Sequence, residues 1–179
     1  MGHEHAAALK GTAICRTLSD AEISAIASLA EAQKLAPGKE LFREGDSGDG
    51  LYLVVSGEID VVKRAPGNER SLARLGAGEV LGEMSLLTED SRSATGRATV
   101  ETTVLRLPAK RFRALLEQGS PAALKVVARI AEVIARRLAT TNAKVIELAD
   151  KLESAGSAPR KLNEQELAEL HRTLQVWSF

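Results

Sequence analysis

Short apolar runs separated by glycines fill the middle of the chain and constrain its fold most strongly. Three of these runs, 51–55, 58–62 and 103–107, have the composition of β-strands. The glycines between residues 40 and 107 mark turns, because glycine adopts positive φ angles without steric cost. Many short strands at close turn spacing predict a β-sandwich or barrel. The glycines form neither a dinucleotide-binding fingerprint nor a P-loop.

Helical patterns flank this β region on both sides. Residues 19–22 form a capping box, and the apolar spacing that follows predicts a helix of about 14 residues from Asp20. The Pro-Gly pair at 37–38 is expected to end it and turn the chain. On the other side, the Ser-Pro pair at 120–121 provides an N-cap and a first-turn proline. A second helix is predicted from there to about Glu153.

An apolar stripe runs along this second helix with alternating spacings of four and three residues. Such spacing is the a/d pattern of a coiled coil and differs from the period of an ordinary surface helix. A helix with this seam needs a partner helix, so we expect homodimerisation through it. The alternative is that the stripe packs on its own domain. The stripe consists of Val127, Ala131, Ile134, Leu138, Thr141, Val145, Leu148 and Leu152.

Composition argues against several classes of protein. The formal net charge is zero, so no overall basic field favours nucleic acid. The single Cys15 excludes an internal disulfide framework and a four-cysteine iron–sulfur site. His3, His5 and His171 lack metal-ligand spacing, and Ser85 has no nearby basic partner, so we expect neither a metal cofactor nor an enzyme. No apolar run approaches the roughly 20 residues of a membrane span, and a cytoplasmic protein is expected.

Segment 82–95 carries the most informative chemistry. Gly82 allows a ligand to approach the backbone closely, and the carboxylate of Glu83 suits a sugar hydroxyl because it only accepts hydrogen bonds. Arg92 offers a charge-assisted pair to phosphate oxygens, and Ser93 adds a hydroxyl donor. The two charged side chains therefore suit opposite ends of one small sugar phosphate. The alternative is an internal ion pair between Glu83 and Arg92 on a loop.

The order of motifs around this segment resembles that of cyclic nucleotide-binding domains, and most closely the effector domain of Crp/Fnr-like regulators. The resemblance covers about residues 18–150. It implies an α+β fold, in which an antiparallel β-roll or jelly-roll carries N-terminal helices and a long C-terminal dimerisation helix, the C-helix. The matching motifs are Gly45-Asp46, Leu51-Tyr52-Leu53-Val54, Gly57, Gly78-Glu79, Leu81-Gly82-Glu83, Arg92-Ser93-Ala94-Thr95, Ala135-Arg136-Arg137-Leu138, Thr141 and Lys144-Val145.

The resemblance also implies roles for individual residues. Segment 82–95 resembles the phosphate-binding cassette of this family and is called the cassette below. In the family the glutamate of the cassette binds the ribose 2′-hydroxyl and its arginine binds the cyclic phosphate, so the resemblance implies these roles for Glu83 and Arg92. Matching positions in the C-helix imply that Thr141 hydrogen-bonds the adenine amino group and that Asn142 does so from the second subunit. Thr141 could instead only set helix register. The other implied ligand contacts are Gly82, Met84, Ser85, Ser93, Ala94, Val61, Leu72 and Leu75.

The resulting division is an N-terminal extension at 1–18, a cyclic nucleotide-binding domain with its C-helix at 19–153, and a linker with a short helix at 154–179. The expected function is a cyclic nucleotide receptor. Ser93, where cGMP-preferring members often have threonine, favours cAMP, with cGMP as the alternative. The signal is expected to pass through the C-helix or the tail around Trp177 to an effector protein that the sequence does not identify.

Two other interpretations stay open at this stage. The chain could be a structural dimerisation or scaffold module whose pocket is empty or holds another ligand. It could also be the effector-domain fragment of a longer transcription regulator. The residues after Glu153 are too few for a winged helix-turn-helix, and the tail is acidic, so direct DNA binding is not expected.

Overall fold

The computed structural model describes residues 2–65, 68–88 and 90–154. Among the described residues, no helix is both long and apolar enough to cross a membrane. The elements in chain order are α1 (Gly2–Lys10), α2 (Asp20–Ala27), β1 (Glu31–Leu35), β2 (Glu40–Phe42), β3 (Gly50–Ser56), β4 (Ile59–Ala65), β5 (Asn68–Leu75), β6 (Val80–Leu81), α3 (Met84–Leu87), β7 (Thr95–Ala98), β8 (Thr102–Pro108), α4 (Ala109–Glu117) and α5 (Pro121–Ser154).

The strands form two four-stranded sheets, in the orders β1-β8-β3-β6 and β2-β7-β4-β5. All of the pairings in both sheets are antiparallel. One buried cluster contains apolar residues from both sheets, among them Val54, Ile59 and Val104. A second cluster joins the β1-β8-β3-β6 sheet to the helices and includes Leu53, Phe112 and Ile130. The predicted β-sandwich is therefore covered by helices on one side.

Strand β3 is buried on both of its faces, which explains its unbroken apolar sequence. Successive side chains of a strand point to opposite faces. Leu51 and Leu53 belong to the cluster on the helix side, whereas Tyr52 and Val54 belong to the cluster between the sheets. A strand covered on both faces has no polar positions to alternate with its apolar ones. The strands predicted at 51–55 and 103–107 are confirmed as parts of β3 and β8, and the strand predicted at 58–62 is confirmed as β4, which begins at Ile59.

The helix predicted over about 14 residues from Asp20 is shorter in the structure. Helix α2 ends at Ala27, and strand β1 begins at Glu31. Strand β1 pairs with β8 over its whole length and buries only Leu35 of its five residues. Its side chains thus carry no strand-like apolar pattern, and the pairing with β8 decides its conformation. Tertiary hydrogen bonding overrides local propensity here.

The N-terminus of α2 has the predicted capping box and is also tied to α5. The hydroxyl of Ser19 accepts a hydrogen bond from the Glu22 amide at 3.3 Å, and the Glu22 carboxylate accepts one from the Ser19 amide at 2.7 Å. The Lys125 ammonium lies 2.7 and 2.9 Å from the two oxygens of the same carboxylate. These contacts hold the pKa of Glu22 below its ordinary value, with the Lys125 hydrogen bond as the largest cause.

This lowered pKa predicts a pH-dependent stability. A carboxyl group whose pKa is lower when folded stabilises the protein above its unfolded pKa, and this contribution is lost as the pH falls through the folded value. We therefore expect the unfolding free energy of the wild-type protein to fall more steeply than that of Glu22→Gln between about pH 6 and about pH 3. Urea denaturation across this range measures the pH dependence of the unfolding free energy of both proteins. The Lys125→Met variant, which keeps Glu22 but lacks its ammonium partner, should also depend less steeply on pH than the wild type. Identical slopes in all three proteins would contradict the prediction.

The first eighteen residues, predicted as an extension, contribute apolar side chains to the helix-side cluster. Leu9, Ile14 and Cys15 are buried there together with Ile23 of α2 and Val126 of α5. Burial raises the pKa of the Cys15 thiol, so the thiolate is disfavoured at neutral pH. Sequence patterns did not indicate this packing, because the apolar residues between 1 and 18 lack a sustained helical period.

Helix α5 confirms the predicted second helix, and the chain divides into two units, the first ending at Ile134 and the second beginning at Ala135. In the first unit the buried side chains of α5 are Ala122, Ala123, Val126 and Ile130, with Val127 and Ile134 packed against them in part. In the second unit the stripe residues Leu138 and Val145 are 40% and 59% exposed. The predicted linker and short helix from residue 155 onwards lie outside the described residues.

Candidate ligand-binding site

The first part of segment 82–95 is fixed between strand β6 and the helix-side core. Strand β6 pairs with β3 and ends at Leu81, and Gly82 then adopts a φ of +70°. Helix α3 follows at once, and its Leu86 is fully buried in the cluster that also contains Phe112 of α4. Glu83, between the glycine and the helix, is only 7% exposed. A carboxylate is thereby placed in a buried position at the start of the segment.

The guanidinium of Arg92 is buried in the same region and held by hydrogen bonds. Its Nη2 donates to Asp49 Oδ1 at 2.6 Å and to the Gly50 carbonyl at 2.8 Å, and its Nη1 donates to the Gly82 carbonyl at 3.4 Å. The residue is 4% exposed. Burying a charge is costly unless it is paired, and Asp49 supplies the opposite charge. The structure thus brings Arg92 and the Gly82 carbonyl together, while their contact with a ligand stays a prediction.

Two aromatic rings complete the surroundings of this guanidinium. Its central carbon lies 4.2 Å from the Phe42 ring centroid and 5.4 Å from that of Tyr52, distances that allow cation–π attraction. The Tyr52 hydroxyl donates to the Asp49 carboxylate at 3.0 and 3.1 Å. Burial and the charge of Asp49 raise the pKa of Tyr52 to about 12, so this hydroxyl stays protonated and remains a donor. The rings and the carboxylate together fix the orientation of the Arg92 side chain.

A side chain larger than hydrogen does not fit at position 82. A Cβ atom there would lie 2.1 Å from Arg92 Nη1 and 3.1 Å from the Gly50 carbonyl oxygen. The φ of +70° is also one that other residues rarely adopt. Gly82 therefore allows the buried guanidinium to lie against the backbone at the start of the cassette.

The second part of the segment is anchored to loop 43–49 and to strand β4. The Arg92 amide donates to the Asp46 carbonyl at 2.8 Å, and the Gly45 amide donates to the Arg92 carbonyl at 2.9 Å. The Lys63 ammonium of β4 donates to the Ser93 carbonyl at 3.0 Å. Ser93 is exposed, whereas Ala94 is 7% exposed and buried. Of the other cassette residues, Met84 is 39% exposed and Ser85 lies in α3.

The residues predicted to form the apolar wall of the pocket lie on strands β4 and β5. Leu75 is buried in the cluster between the sheets, with Val61 packed against it in part. Leu72 is 59% exposed, because the register shifts between Val61–Ala73 and Val62–Ser71 and leaves Leu72 as an extra residue in β5. Such a bulge re-aims the side chain.

The two predicted base contacts lie in the second unit, within α5. The Thr141 hydroxyl donates a hydrogen bond to the Arg137 carbonyl one turn earlier, at 2.9 Å. Asn142 is exposed. Their assignment to a nucleotide base stays a prediction.

The arrangement in the first unit can hold a small anion that also carries a hydroxyl group. The buried guanidinium donates hydrogen bonds, and the buried carboxylate accepts them. Sequence reasoning missed the residues that orient Arg92, namely Asp49, Phe42 and Tyr52. The sequence does contain a signal for Asp49, since it stands between two glycines directly before β3. Its partner lies 43 residues away in the chain, so no local pattern connects them.

The sequence of this chain matches one domain family and is similar to several known proteins. The model of the cyclic nucleotide-binding domain family matches residues 32–119, which include Glu83 and Arg92. The cyclic AMP receptor protein of Thermus thermophilus is 38% identical over 132 residues, which are 73% of this chain and 59% of that protein. This chain thus spans less than two thirds of that relative. A cAMP-dependent protein kinase regulatory subunit of Neurospora crassa is 35% identical over 108 residues, 60% of this chain and 28% of the subunit.

The fold of this chain is similar to that of a solved crystal structure. The crystal structure of the Thermus thermophilus catabolite activator protein has a TM-score of 0.69 and 32% identity, covering 89% of this chain and 79% of that chain. The predicted fold, an antiparallel β-roll with N-terminal helices and a long C-terminal helix, is confirmed. The matching family model, the sequence identities and the shared architecture show that this chain belongs to the cyclic nucleotide-binding domain family.

Proposed function

We propose that the chain is a regulatory receptor that binds a cyclic nucleotide, with cAMP as the ligand. The observation that carries this proposal is that Glu83 and Arg92 are both buried, with Arg92 hydrogen-bonded to the carbonyl of Gly82, the residue directly before Glu83. Glu83 would accept a hydrogen bond from the ribose 2′-hydroxyl, and Arg92 would donate to the cyclic phosphate. The roles of Gly82, Met84, Ser85, Ser93 and Ala94 in the cassette remain part of this proposal.

The electrostatics around Arg92 support an anionic ligand. The guanidinium has five N–H donors, and the Asp49 carboxylate that pairs with it is itself 41% exposed. A phosphate placed against the guanidinium adds a further counter-charge in a region of restricted solvent access, where charge-assisted hydrogen bonds are strongest. Asp49 then orients the guanidinium rather than competing for all of its donors. Ligand binding and the Asp49 ion pair are therefore compatible.

The state of the Thr141 hydroxyl supports cAMP over cGMP. Its hydrogen is donated to the Arg137 carbonyl, so the oxygen offers a lone pair to a base. The exocyclic amino group of adenine is a donor, whereas guanine has a carbonyl acceptor at the same position. An acceptor in the protein therefore suits adenine. We propose this base contact for Thr141, and a second one for Asn142 from the other subunit.

Thermal and chemical denaturation with and without nucleotide test the proposal. A ligand present at 100 times its dissociation constant should raise the unfolding free energy by about 2.7 kcal/mol. We expect this stabilisation at lower concentrations of cAMP than of cGMP, and Thr141→Ala should reduce the difference between the two. Equal affinities would contradict the cAMP preference. No stabilisation by either nucleotide would contradict the receptor function and favour a scaffold module with an empty pocket.

We further propose that the chain forms a homodimer through the stripe of α5 from Val127 to Leu152. In support, Leu138 and Val145 are large apolar side chains that are 40% and 59% exposed in one chain. Their spacing suits a second copy of the same helix. Replacing both with glutamate should give the mass of one chain in light scattering. Ile146→Glu is the matched control, since Ile146 is 62% exposed but lies outside the stripe; a monomeric wild-type protein would contradict the proposal.

The output of this receptor is proposed to be regulatory and not catalytic. Occupancy of the cassette would favour one arrangement of α5, and the signal would pass to an effector protein through α5 or through the tail that contains Trp177. Pull-down experiments with and without cAMP would test this step. A partner retained equally well in both conditions would not be a signalling effector.

A further inference from the structure

A cation of helix α4 binds the end of the cassette helix α3. The side chain of Arg113 donates from Nε to the Leu86 carbonyl at 3.3 Å and from Nη2 to the Thr88 carbonyl at 2.6 Å. Arg113 itself is half-buried. Neither family resemblance nor sequence pattern assigned it a role. Both of these acceptors are backbone carbonyls, so the two hydrogen bonds hold the path of the chain at the end of α3.

Helix α3 needs such a partner because it is very short. The last four carbonyls of an α-helix have no partner within the helix, and α3 has four residues in total. Of its carbonyls, that of Met84 accepts from the Thr88 amide at 2.8 Å. A positive charge near the C-terminal end of a helix is stabilising, and charge-assisted hydrogen bonds are stronger than neutral ones. Arg113 thus stabilises the C-terminal end of a helix that could not persist by itself.

Packing fixes the same two helices against each other. Leu86 of α3 and Phe112 of α4 are both fully buried and belong to one cluster. Phe112 directly precedes Arg113, so one turn of α4 supplies both the apolar contact and the hydrogen bonds. Helix α3 in turn directly follows Glu83. The turn of α4 that contains Arg113 therefore contacts the short helix that directly follows the proposed ribose contact.

We propose that Arg113 is a positioning residue of the cyclic nucleotide site, which holds α3 and thereby Glu83 in the geometry that binds the ligand. This inference rests on the proposed function of the cassette. Without Arg113, α3 loses two charge-assisted hydrogen bonds, and the ligand must order the segment when it binds. Part of the binding free energy is then consumed by this ordering. Affinity falls although no atom in contact with the ligand has been removed.

The test compares Arg113→Met and Arg113→Lys with Arg111→Met. Arg111 is the matched control because it lies on the same helix, is 56% exposed and pairs with Glu31 of β1. Isothermal titration with cAMP should show about tenfold weaker binding for Arg113→Met, because only part of the contribution of the two hydrogen bonds is lost from ligand binding when α3 must be ordered by the ligand. Arg113→Lys should recover part of this loss, since an ammonium can reach one carbonyl. Arg111→Met should bind as the wild type does.

Hydrogen exchange provides a readout that a general loss of stability would not move. In the ligand-free protein, Arg113→Met should exchange the amides of residues 84–88 faster, with the amides of β3 and β8 unchanged. Adding cAMP should restore much of the lost protection. Faster exchange throughout the protein, or equal weakening by Arg111→Met, would show that α4 matters only for stability and would overturn the proposal.

The two proposals fail in different ways. If the wild-type protein binds cAMP and Arg113→Met binds it equally well, the positioning role is overturned and the receptor function stands. If the wild-type protein binds no cyclic nucleotide, the proposed function fails, and the claim that Arg113 holds Glu83 for a ligand is overturned with it. Exchange at residues 84–88 would then report only whether Arg113 orders α3.

Discussion

Replacing Arg92 with alanine is expected to weaken cAMP binding at least about 30- to 150-fold, the largest functional effect we predict. The variant removes the proposed positively charged partner of the phosphate and leaves a cavity between Asp49 and the Phe42 ring. Hydrogen bonds to charged groups contribute about 1.5–3 kcal/mol each, which sets this scale. Isothermal titration of both proteins with cAMP measures the change.

A conservative substitution and a control separate the loss of a ligand contact from a loss of folding. Arg92→Lys keeps the charge but not the planar fork, so it should bind with intermediate affinity. Arg97→Ala serves as the matched control, because Arg97 lies on β7, the strand that follows Arg92 in the chain, and pairs with Glu40 and Glu69. Its affinity should stay close to that of the wild type. Normal cAMP binding by a folded Arg92→Ala protein would show that the pocket has been assigned to the wrong residues.

Replacing Phe112 with alanine is expected to lower the free energy of unfolding by about 3–5 kcal/mol, the largest effect on stability that we predict. Phe112 is fully buried and is among the largest such side chains of the described residues. It lies in the cluster that contains Leu86 of α3 and Ile130 of α5. Its removal therefore leaves a cavity where three helices meet the sheet. Urea denaturation of the ligand-free protein measures the loss.

The matched control for this variant is an exposed apolar residue. Val100 is 49% exposed, and Val100→Ala should change the unfolding free energy by about 0.5 kcal/mol or less. A second comparison is Leu115→Ala on the same helix, which is only partly buried and should have an intermediate effect. If Phe112→Ala lowered the unfolding free energy as little as Val100→Ala, the packing of Phe112 in the cluster with Leu86 and Ile130 would be contradicted.

The sequence predicted elements well where their patterns are local. The glycine-separated apolar runs became strands, and the Ser-Pro pair before α5 marked the start of that helix. The capping box of α2 was correct because its two hydrogen bonds join residues three positions apart. The length of α2 was wrong for the opposite reason. Strand β1 depends on β8, which lies about 70 residues further along the chain.

The candidate site shows the same division. The types and spacing of Glu83 and Arg92, with Gly82, were enough to predict a site for a sugar phosphate. The residues that orient the guanidinium were not predicted, since Asp49, Phe42 and Tyr52 come from other strands and loops. The residues proposed to bind the ligand are close together in sequence, whereas the residues that orient Arg92 become its neighbours only after folding.

By itself the sequence determined the charged side chains available in segment 82–95, the β-rich middle of the chain and the heptad spacing of its last long helix. These features follow from residue type and short spacing, which act through turns, strand pleating and helical periodicity. Only the tertiary structure decided which partners surround Arg92, that Arg113 holds α3, and that the N-terminal residues join the core. Such contacts depend on chain segments that are distant in sequence, and the burial of apolar side chains and of charged groups selects them.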